Sequence, residues 1–186
     1  DDGRNALVAS AAIILGAAEI EQRFDARDPI FSPDRSTFTP TKHEANVPNV
    51  NTIPGREVFY IDCRVLPCYT LDEVLTAFRE LGARVGETYG VNVDVQIQMC
   101  EPAAAPTPED SAVVQSLKKA VKDVLGVDCW CGGVGGSTVA VSFRERGIHA
   151  AVWAHIFENC HTPNEAARLS FAVGDAQVYA SMLFLD

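Results

Sequence analysis

The sequence predicts an α+β protein in which a ferredoxin-like sandwich is followed by an α/β segment. Three observations lead to this prediction. Residues 4–99 show the order helix, strand, strand, helix, strand, which is the ferredoxin-like order with its first strand missing and places two helices on an antiparallel sheet. A Pro- and Ala-rich stretch, EPAAAPTPE at 101–109, then interrupts the pattern, and helical and β-type patterns alternate after it. We therefore expect a first domain over 1–104 and a second over 105–186.

The first half opens with an Ala-rich helix. Residues 4–24 carry apolar side chains at spacings of three and four, the period of a helix packed on one face. Residues 36–45 are typical of an extended segment, with Pro40 near a sheet edge. The Asn-, Pro- and Gly-rich residues 46–55 predict a loop. The alternating β-branched and aromatic residues of 56–67 predict a strand.

A second helix is predicted from its capping signal. Thr70 and Glu73 have the spacing of a capping box, and the apolar residues that follow mark one helical face as far as Val85. Gly90 is expected to end this helix. In VNVDVQIQM, residues 91–99, Val and Ile alternate with polar residues, which predicts a half-buried strand.

The second half is predicted to combine helices with short buried strands. Helices are expected over 110–125, 138–146 and 164–183, and strands over 127–131 and 149–155. If these strands normally belong to a larger parallel sheet, their edges are left unpaired in this chain. We therefore expect the chain to self-associate or to bind a missing half.

The composition excludes two classes of partner. The 186-residue chain has a formal net charge of −10, whereas a nucleic-acid-binding face is basic. No apolar run approaches the roughly 20 residues of a membrane span. We expect neither nucleic acid nor membrane as a partner.

The six cysteines are expected to be reduced thiols of a cytoplasmic protein. The chain is long, has no signal-peptide pattern and shows no repeated cysteine spacing. The cysteines on either side of Trp130, Cys129 and Cys131, do not form a zinc knuckle, because the gap is one residue and no second pair follows. The chain opens on Asp1 rather than Met, so we expect a piece of a longer protein.

The Gly-rich segment GGVGGSTVAVSFRERG, 132–147, leaves two interpretations open. Its backbone N–H groups and the start of the following helix are suited to bind a carboxylate or a phosphate. The segment is also typical of a tight strand-to-helix turn with Ser137 or Thr138 as the N-cap. It is not a P-loop, because no Lys follows its final Gly.

Other polar residues also allow two interpretations each. His161 precedes the last predicted helix, where an imidazole either ligates Zn²⁺ or bonds a backbone group at the helix entry. Asp62 and Arg64 lie two apart on one predicted strand and share a face. They form either a surface ion pair or, through Arg64, a clamp for a substrate carboxylate. Asn51 is also typical of a simple turn.

Three segments match one known family in order and spacing. NVNTIPGREVFYIDCRVLP at 49–67 is followed by the capped helix and the alternating strand. GGVGGSTVAVSFRERGIHAAVW at 132–153 places a Gly-rich turn before a helix and a strand, and CHTPNEAARL at 160–169 contains a His-x-x-Asn-Glu pattern. Together they resemble the M20 family of zinc amidohydrolases, which includes acetylornithine deacetylase, succinyl-diaminopimelate desuccinylase and carboxypeptidase G2-type enzymes.

The resemblance implies an amide hydrolase that acts on a carboxylate-bearing N-acyl amino acid or small peptide. In such enzymes two zinc ions share a bridging carboxylate and activate water, and a Glu is the general base. Residues 1–104 would be the lid, through which a homodimer forms, and 105–186 the C-terminal part of the catalytic domain. His161 would be the last metal ligand. The residues implied to contact substrate are Asn51, Arg64, Gly135, Gly136, Ser137 and Thr138.

The resemblance also implies that the active site is incomplete in this chain. The family's other metal ligands and its general-base Glu lie upstream of the lid and have no counterpart here, and Val139 stands where many members carry Asp. One His cannot hold a catalytic zinc, which takes about three protein ligands. We therefore expect no catalytic residue here, no hydrolase activity from this chain alone, and a missing N-terminal catalytic segment as its partner. The alternative is a non-catalytic dimerisation or small-molecule-binding module.

Overall fold

The computed structural model describes residues 3–157, 159–160 and 162–184, and the chain divides into two compact units. Unit 1 comprises Asp1–Pro102 and Gly133–Gly136, and unit 2 comprises Ala103–Gly132 and Ser137–Asp186. Each unit has a hydrophobic cluster of its own. The assignment of 1–104 and 105–186 to a lid and a catalytic domain stays a prediction.

In unit 1, the residues that the structure describes form two helices and a two-stranded antiparallel sheet. The helices are α1, Ala6–Arg23, and α2, Leu71–Tyr89; the strands are β1, Thr37–His43, and β2, Phe59–Arg64. The sequence therefore predicted these four elements correctly, to within a few residues at their ends. The pairing shifts register between Pro40 and Lys42, where proline has no N–H to give to the ladder.

Both helices of unit 1 are closed by local capping contacts. The Asn5 side chain accepts hydrogen bonds from the backbone N–H groups of Leu7 and Val8 at 3.1 and 3.3 Å. The capping box of α2 is confirmed, since Thr70 Oγ1 accepts from the Glu73 N–H and the Glu73 carboxylate accepts from the Thr70 N–H at 2.8 Å. These contacts satisfy N–H groups that the first helical turn leaves without a partner.

The core of unit 1 is apolar and joins both helices to the sheet. α1 contributes residues at helical spacing, among them Ile13, Ala17 and Ile20, and β1 contributes Phe38. Gly16 lies where the helices meet, and a Cβ atom there would lie 2.7 Å from Leu81 Cδ1, so that Leu81 would have to shift. This glycine therefore favours the close approach of α1 to α2.

The strand predicted over 91–99 is wrong, because this segment pairs with no other strand of the described chain. The predicted alternation of packed and exposed side chains is present. Val91, Val93 and Val95 pack against the core while Asn92 and Asp94 are exposed. No described residue pairs with this extended segment in a ladder, so it is not a strand. Side-chain alternation is encoded locally, whereas a strand requires a hydrogen-bonding neighbour. The ferredoxin-like arrangement of the prediction is therefore not confirmed beyond its four paired or helical elements.

The described residues of unit 2 form three helices. They are α3, Ala112–Leu125, α4, Ala140–Arg144, and α5, Leu169–Met182. α3 packs on α5 around four buried residues, which are Leu117, Ala120, Val121 and Val178. Helix α3 ends at Gly126, which adopts φ +70°, a left-handed conformation that glycine adopts without strain.

Several predictions for unit 2 are wrong. The segments 127–131 and 149–155 belong to no named strand of the described chain. The second of these is not buried either, because Val152 is 58% exposed. The last helix begins at Leu169 rather than at 164, since Asn164 has φ +62° and a right-handed helix cannot pass through that residue.

The helices are also too short or too polar for a bilayer. In the described part of the chain, no helix has the length and apolar character needed to cross a membrane.

The capping box predicts a stability change. Replacing Thr70 by Ala removes the hydroxyl that accepts the Glu73 N–H, and should lower the free energy of unfolding by about 1 kcal/mol. Thr76→Ala is the matched control, because Thr76 is exposed within the same helix and alanine has the higher helix propensity. Urea denaturation followed by far-ultraviolet circular dichroism measures both. Equal midpoints for the two variants would show that the cap contributes nothing.

Candidate functional site

Arg64, at the end of β2, joins two parts of unit 1. Its Nε donates to Asp62 Oδ2 at 2.7 Å, and its Nη1 donates to the backbone carbonyl of Gly135 at 2.8 Å. Asp62 and Arg64 share a face of β2, as predicted. Both side chains are about half exposed, so their ion pair alone contributes little to stability. The guanidinium carries five N–H donors, so donors remain for a ligand.

The Gly-rich segment is held against unit 1 at its start. The Gly133 N–H donates to the Ile30 carbonyl at 2.7 Å, and Gly133 forms a single parallel bridge with Phe31. A Cβ atom on Gly133 would lie 2.4 Å from the Phe31 ring, so only glycine permits this approach. Together with the Arg64 contact, these bonds fix the turn from both sides.

Within the described chain, no contact brings the other predicted substrate residues together with Arg64. Asn51 lies exposed in the loop between β1 and β2, and within the described chain its side chain makes no hydrogen bond. Gly136 belongs to unit 1, whereas Ser137 and Thr138 belong to unit 2. The N-cap prediction for the last two residues is wrong, because the cap of α4 is Val139 and no side chain bonds there. With only five residues, α4 also offers a weak helix terminus for an anion.

A groove in unit 2 is lined by residues on both sides of the predicted metal ligand in the sequence, among them Cys160 and Arg168. It has a volume of about 350 Å³. The imidazole of His155 stacks on the Phe171 ring, with centroids 3.6 Å apart and planes 8° apart. The Arg168 guanidinium lies 5.1 Å from the Phe171 centroid and 5.2 Å from that of Phe157. The groove therefore combines aromatic faces with a cation.

Asp175 of α5 also lines this groove and binds the segment that α5 packs against. Its carboxylate accepts hydrogen bonds from the backbone N–H of His155 at 3.0 and 3.1 Å and from the indole N–H of Trp153 at 3.0 Å. Tyr179, one turn later, donates its hydroxyl to the Trp153 carbonyl at 2.6 Å. Side chains of α5 thus occupy backbone groups that a neighbouring strand would otherwise use.

Arg168, Phe171 and Asp175 were missed by the sequence analysis. They face the groove only because α5 packs beside residues 153–157. His155 and Asp175 are 20 residues apart in the sequence, and no motif in this stretch predicts that they are in contact.

A metal centre is not formed by the described residues. His161, the predicted ligand, lies outside them. Among residues 3–157, 159–160 and 162–184, no three His, Cys, Asp or Glu side chains are placed to hold a metal ion together. These residues therefore do not fit a catalytic zinc, which needs about three protein ligands.

Comparisons with known proteins find similarity for the first unit and for most of the chain. Residues 1–89 match the family model described as the peptidase dimerisation domain, M20_dimer. An uncharacterised metallohydrolase of Methanococcus maripaludis is 35% identical over 174 residues, and one of Methanocaldococcus jannaschii is 34% identical over 171 residues. Each alignment covers 87% of this chain but 42% of the relative. The chain thus spans less than half the length of these curated relatives.

Solved structures share the fold. A Burkholderia cenocepacia protein assigned to the amidohydrolases or peptidases aligns with a TM-score of 0.62 and 22% identity, over 97% of this chain and 41% of that protein. An M20 family metallo-carboxypeptidase of Sulfolobus solfataricus aligns with a TM-score of 0.58 and 16% identity, over 92% of this chain and 43% of that one. At these identities the likeness concerns the fold alone.

The thiol between Asp62 and Arg64 has an altered acidity. Although part of Cys63 reaches solvent, the surrounding protein desolvates its sulfur and raises the pKa of the thiol to about 11, and the Asp62 carboxylate adds to the rise. Fewer thiolates are therefore present at Cys63 near pH 8 than at an ordinary cysteine.

This acidity predicts slow alkylation. At pH 8, Cys63 should react with iodoacetamide about tenfold more slowly than an unperturbed thiol, because its loss of thiolate is partly offset by the stronger nucleophilicity of a basic sulfur. Asp62→Asn should speed the reaction, while Asp72→Asn, at an exposed position of α2, should not. Peptide mass spectrometry over time measures each site. A rate at Cys63 equal to that at exposed Cys68 would contradict the assignment.

Proposed function

We propose that this chain is part of a metal-dependent amidohydrolase that cleaves the amide bond of an N-acyl amino acid or a small peptide. Residues 1–104 serve as the lid and dimerisation domain, and residues 105–186 as the C-terminal part of the catalytic domain. The observation that carries the proposal is the 87% of the chain that aligns with metallohydrolases at 34–35% identity. The match of residues 1–89 to a peptidase dimerisation domain supports the role of the first unit.

The chain's own contribution in this proposal is substrate binding. Arg64 has its Nε and Nη1 engaged by Asp62 and Gly135, which orients the guanidinium while leaving donors for a carboxylate. A planar guanidinium binds a carboxylate through two parallel hydrogen bonds. Asn51 and the 135–138 turn are proposed to contact the same substrate, and exposed loop residues such as Asn51 are free to do so.

The metal chemistry is proposed to come mostly from residues beyond those described. Bound zinc would polarise the amide carbonyl and activate water, and His161 is proposed as one ligand. The described residues contain no donor set of three. For this reason we propose that the chain alone does not turn over substrate.

The proposed function is tested by a metal-dependent activity assay and by substitution of Arg64. The complete product of the gene that encodes this chain should hydrolyse N-acetyl or N-succinyl amino acids with added Zn²⁺, and this chain alone should not. Arg64→Ala should raise KM by about 10- to 100-fold, since a charge-assisted hydrogen bond contributes about 1.5–3 kcal/mol.

Arg79→Ala is the control, because Arg79 lies exposed on α2. An Arg64→Lys variant tests whether the planar fork is needed, and it should restore KM only in part. No hydrolysis of any N-acyl amino acid or dipeptide by the complete product would refute the proposed function. An unchanged KM in Arg64→Ala would refute only the proposed role of Arg64 and would leave the proposed function standing.

A homodimer is the expected assembly. The dimerisation domain that matches residues 1–89 is proposed to bring two copies together, so light scattering coupled to size-exclusion chromatography should give twice the 20.1 kDa chain mass. A single monomeric species at every concentration from 1 to about 100 µM would contradict this, because the dimer population rises with protein concentration.

A further inference from the structure

The loop between β1 and β2, residues 44–58, presents Asn51 to solvent. Val50 is fully exposed and Ile53 is about half exposed, so burial of apolar side chains contributes little to the order of this part of the loop. The Thr52 N–H donates to the Asn49 carbonyl at 3.2 Å, which closes a turn around Asn51. The position of this turn therefore depends on contacts elsewhere in the loop.

Glu57, two residues before β2, joins the two limbs of this loop. Its Oε1 accepts a hydrogen bond from Asn46 Nδ2, and its Oε2 lies 2.7 Å from His43 Nε2. The Glu57 side chain is only 3% exposed, whereas both members of the pair between Asp62 and Arg64 are about half exposed. Water screens the contacts of a buried carboxylate less, so Glu57 constrains the loop more strongly than a surface ion pair would.

The two oxygens of Glu57 are held differently. Oε2 accepts no hydrogen bond from the described residues, so its contact with the His43 imidazole is a close approach and not an aligned hydrogen bond. The Asn46 amide is therefore the donor that directs the carboxylate. A buried ion pair stabilises a fold no better than apolar residues of similar volume, so stability alone does not explain a carboxylate at this position.

Backbone hydrogen bonds hold the loop on both sides of Asn51. At its base the Glu44 N–H donates to the Val58 carbonyl at 2.9 Å. After the turn, the carbonyl of buried Pro54 accepts a hydrogen bond from the Ala6 N–H at 3.0 Å, which ties this limb to the start of α1. The Pro54 contact fixes the limb after Asn51, and the contacts of Glu57 fix the limb before it.

We propose that Glu57 is a positioning residue for substrate binding: by holding Asn46 and His43 at the base of the 44–58 loop, it keeps Asn51 where its amide reaches the substrate. Glu57 itself does not touch the substrate. The inference rests on the proposed function, because it adds a residue to the binding step of that function. A loop ordered in advance lowers the entropy cost of binding, so the effect lies in KM and not in kcat.

The first test measures opening of the loop in this chain by limited proteolysis. Elastase cleaves after small apolar residues, and it should cut after exposed Val50 about tenfold faster in Glu57→Ala, because cleavage follows the population of the open loop. Asn46→Ala removes the donor from the other limb and should act similarly; its exposed side chain keeps the test valid if Glu57→Ala does not fold. Glu57→Gln keeps the acceptor and should be cut nearly as slowly as the unchanged chain.

Glu87→Ala is the matched control, because Glu87 lies exposed on α2. Mass spectrometry of the fragments identifies the bond that is cut and its rate. The double variant of Asn46 and Glu57 should be cut no faster than Glu57→Ala, since both substitutions remove one interaction. Unchanged cleavage after Val50 in Glu57→Ala and Asn46→Ala, or an equal increase in Glu87→Ala, would overturn the role of Glu57 in holding the loop.

The second test measures kinetics in the complete product of the gene. Glu57→Ala should raise KM about three- to tenfold and leave kcat within about twofold, and Glu57→Gln should restore KM. Faster cleavage of the loop with an unchanged KM would overturn the positioning role. If the complete product hydrolyses no N-acyl amino acid or dipeptide, the proposed function and the substrate role of Asn51 both fail, and the cleavage rates still decide whether Glu57 holds the loop.

Discussion

The burial of α2 on more than one side is the constraint on which the rest of unit 1 depends. On one side Leu81 reaches α1 over Gly16, and on another Val93 crosses Gly82, where an added Cβ atom would lie 2.9 Å from Val93 Cγ1. Phe78 meets Phe38 of β1 with ring centroids 5.9 Å apart. One helix thus fixes its neighbouring helix, the sheet and the extended segment after it, and the sheet in turn places Arg64.

Apolar contact rather than charge decides this arrangement. Burying a Leu or Phe side chain contributes about 1.5–3 kcal/mol. The ion pairs along the same helix pair, Arg23 with Glu80 and Arg84 with Glu19, join side chains that are more than half exposed, and such pairs contribute about 1 kcal/mol or less. They line the groove between α1 and α2 and set its charge pattern, while the glycine-mediated contact beneath them sets the distance.

Local signals in the sequence predicted the fold well, and signals that need a distant partner did not. The Thr70 cap and the Gly90 stop involve residues within one helical turn, so α2 was placed within a residue of its ends. Residues 91–99 and 149–155 have the composition of strands, but pairing is decided by another segment and not by composition. For the site, period two correctly placed Asp62 beside Arg64. The contact of Arg64 with Gly135, 71 positions away, is carried by no local pattern.

The two tryptophans of the chain both lie in unit 2, and their surroundings differ. The Trp153 indole is held by Asp175, whereas Trp130 is 80% exposed. Tryptophan fluorescence therefore reports on unit 2, because unit 1 contains tyrosines but no tryptophan. If the two units melt at different temperatures, an emission-based melting curve follows only the second, and a comparison with a backbone-sensitive signal separates the two transitions without any label.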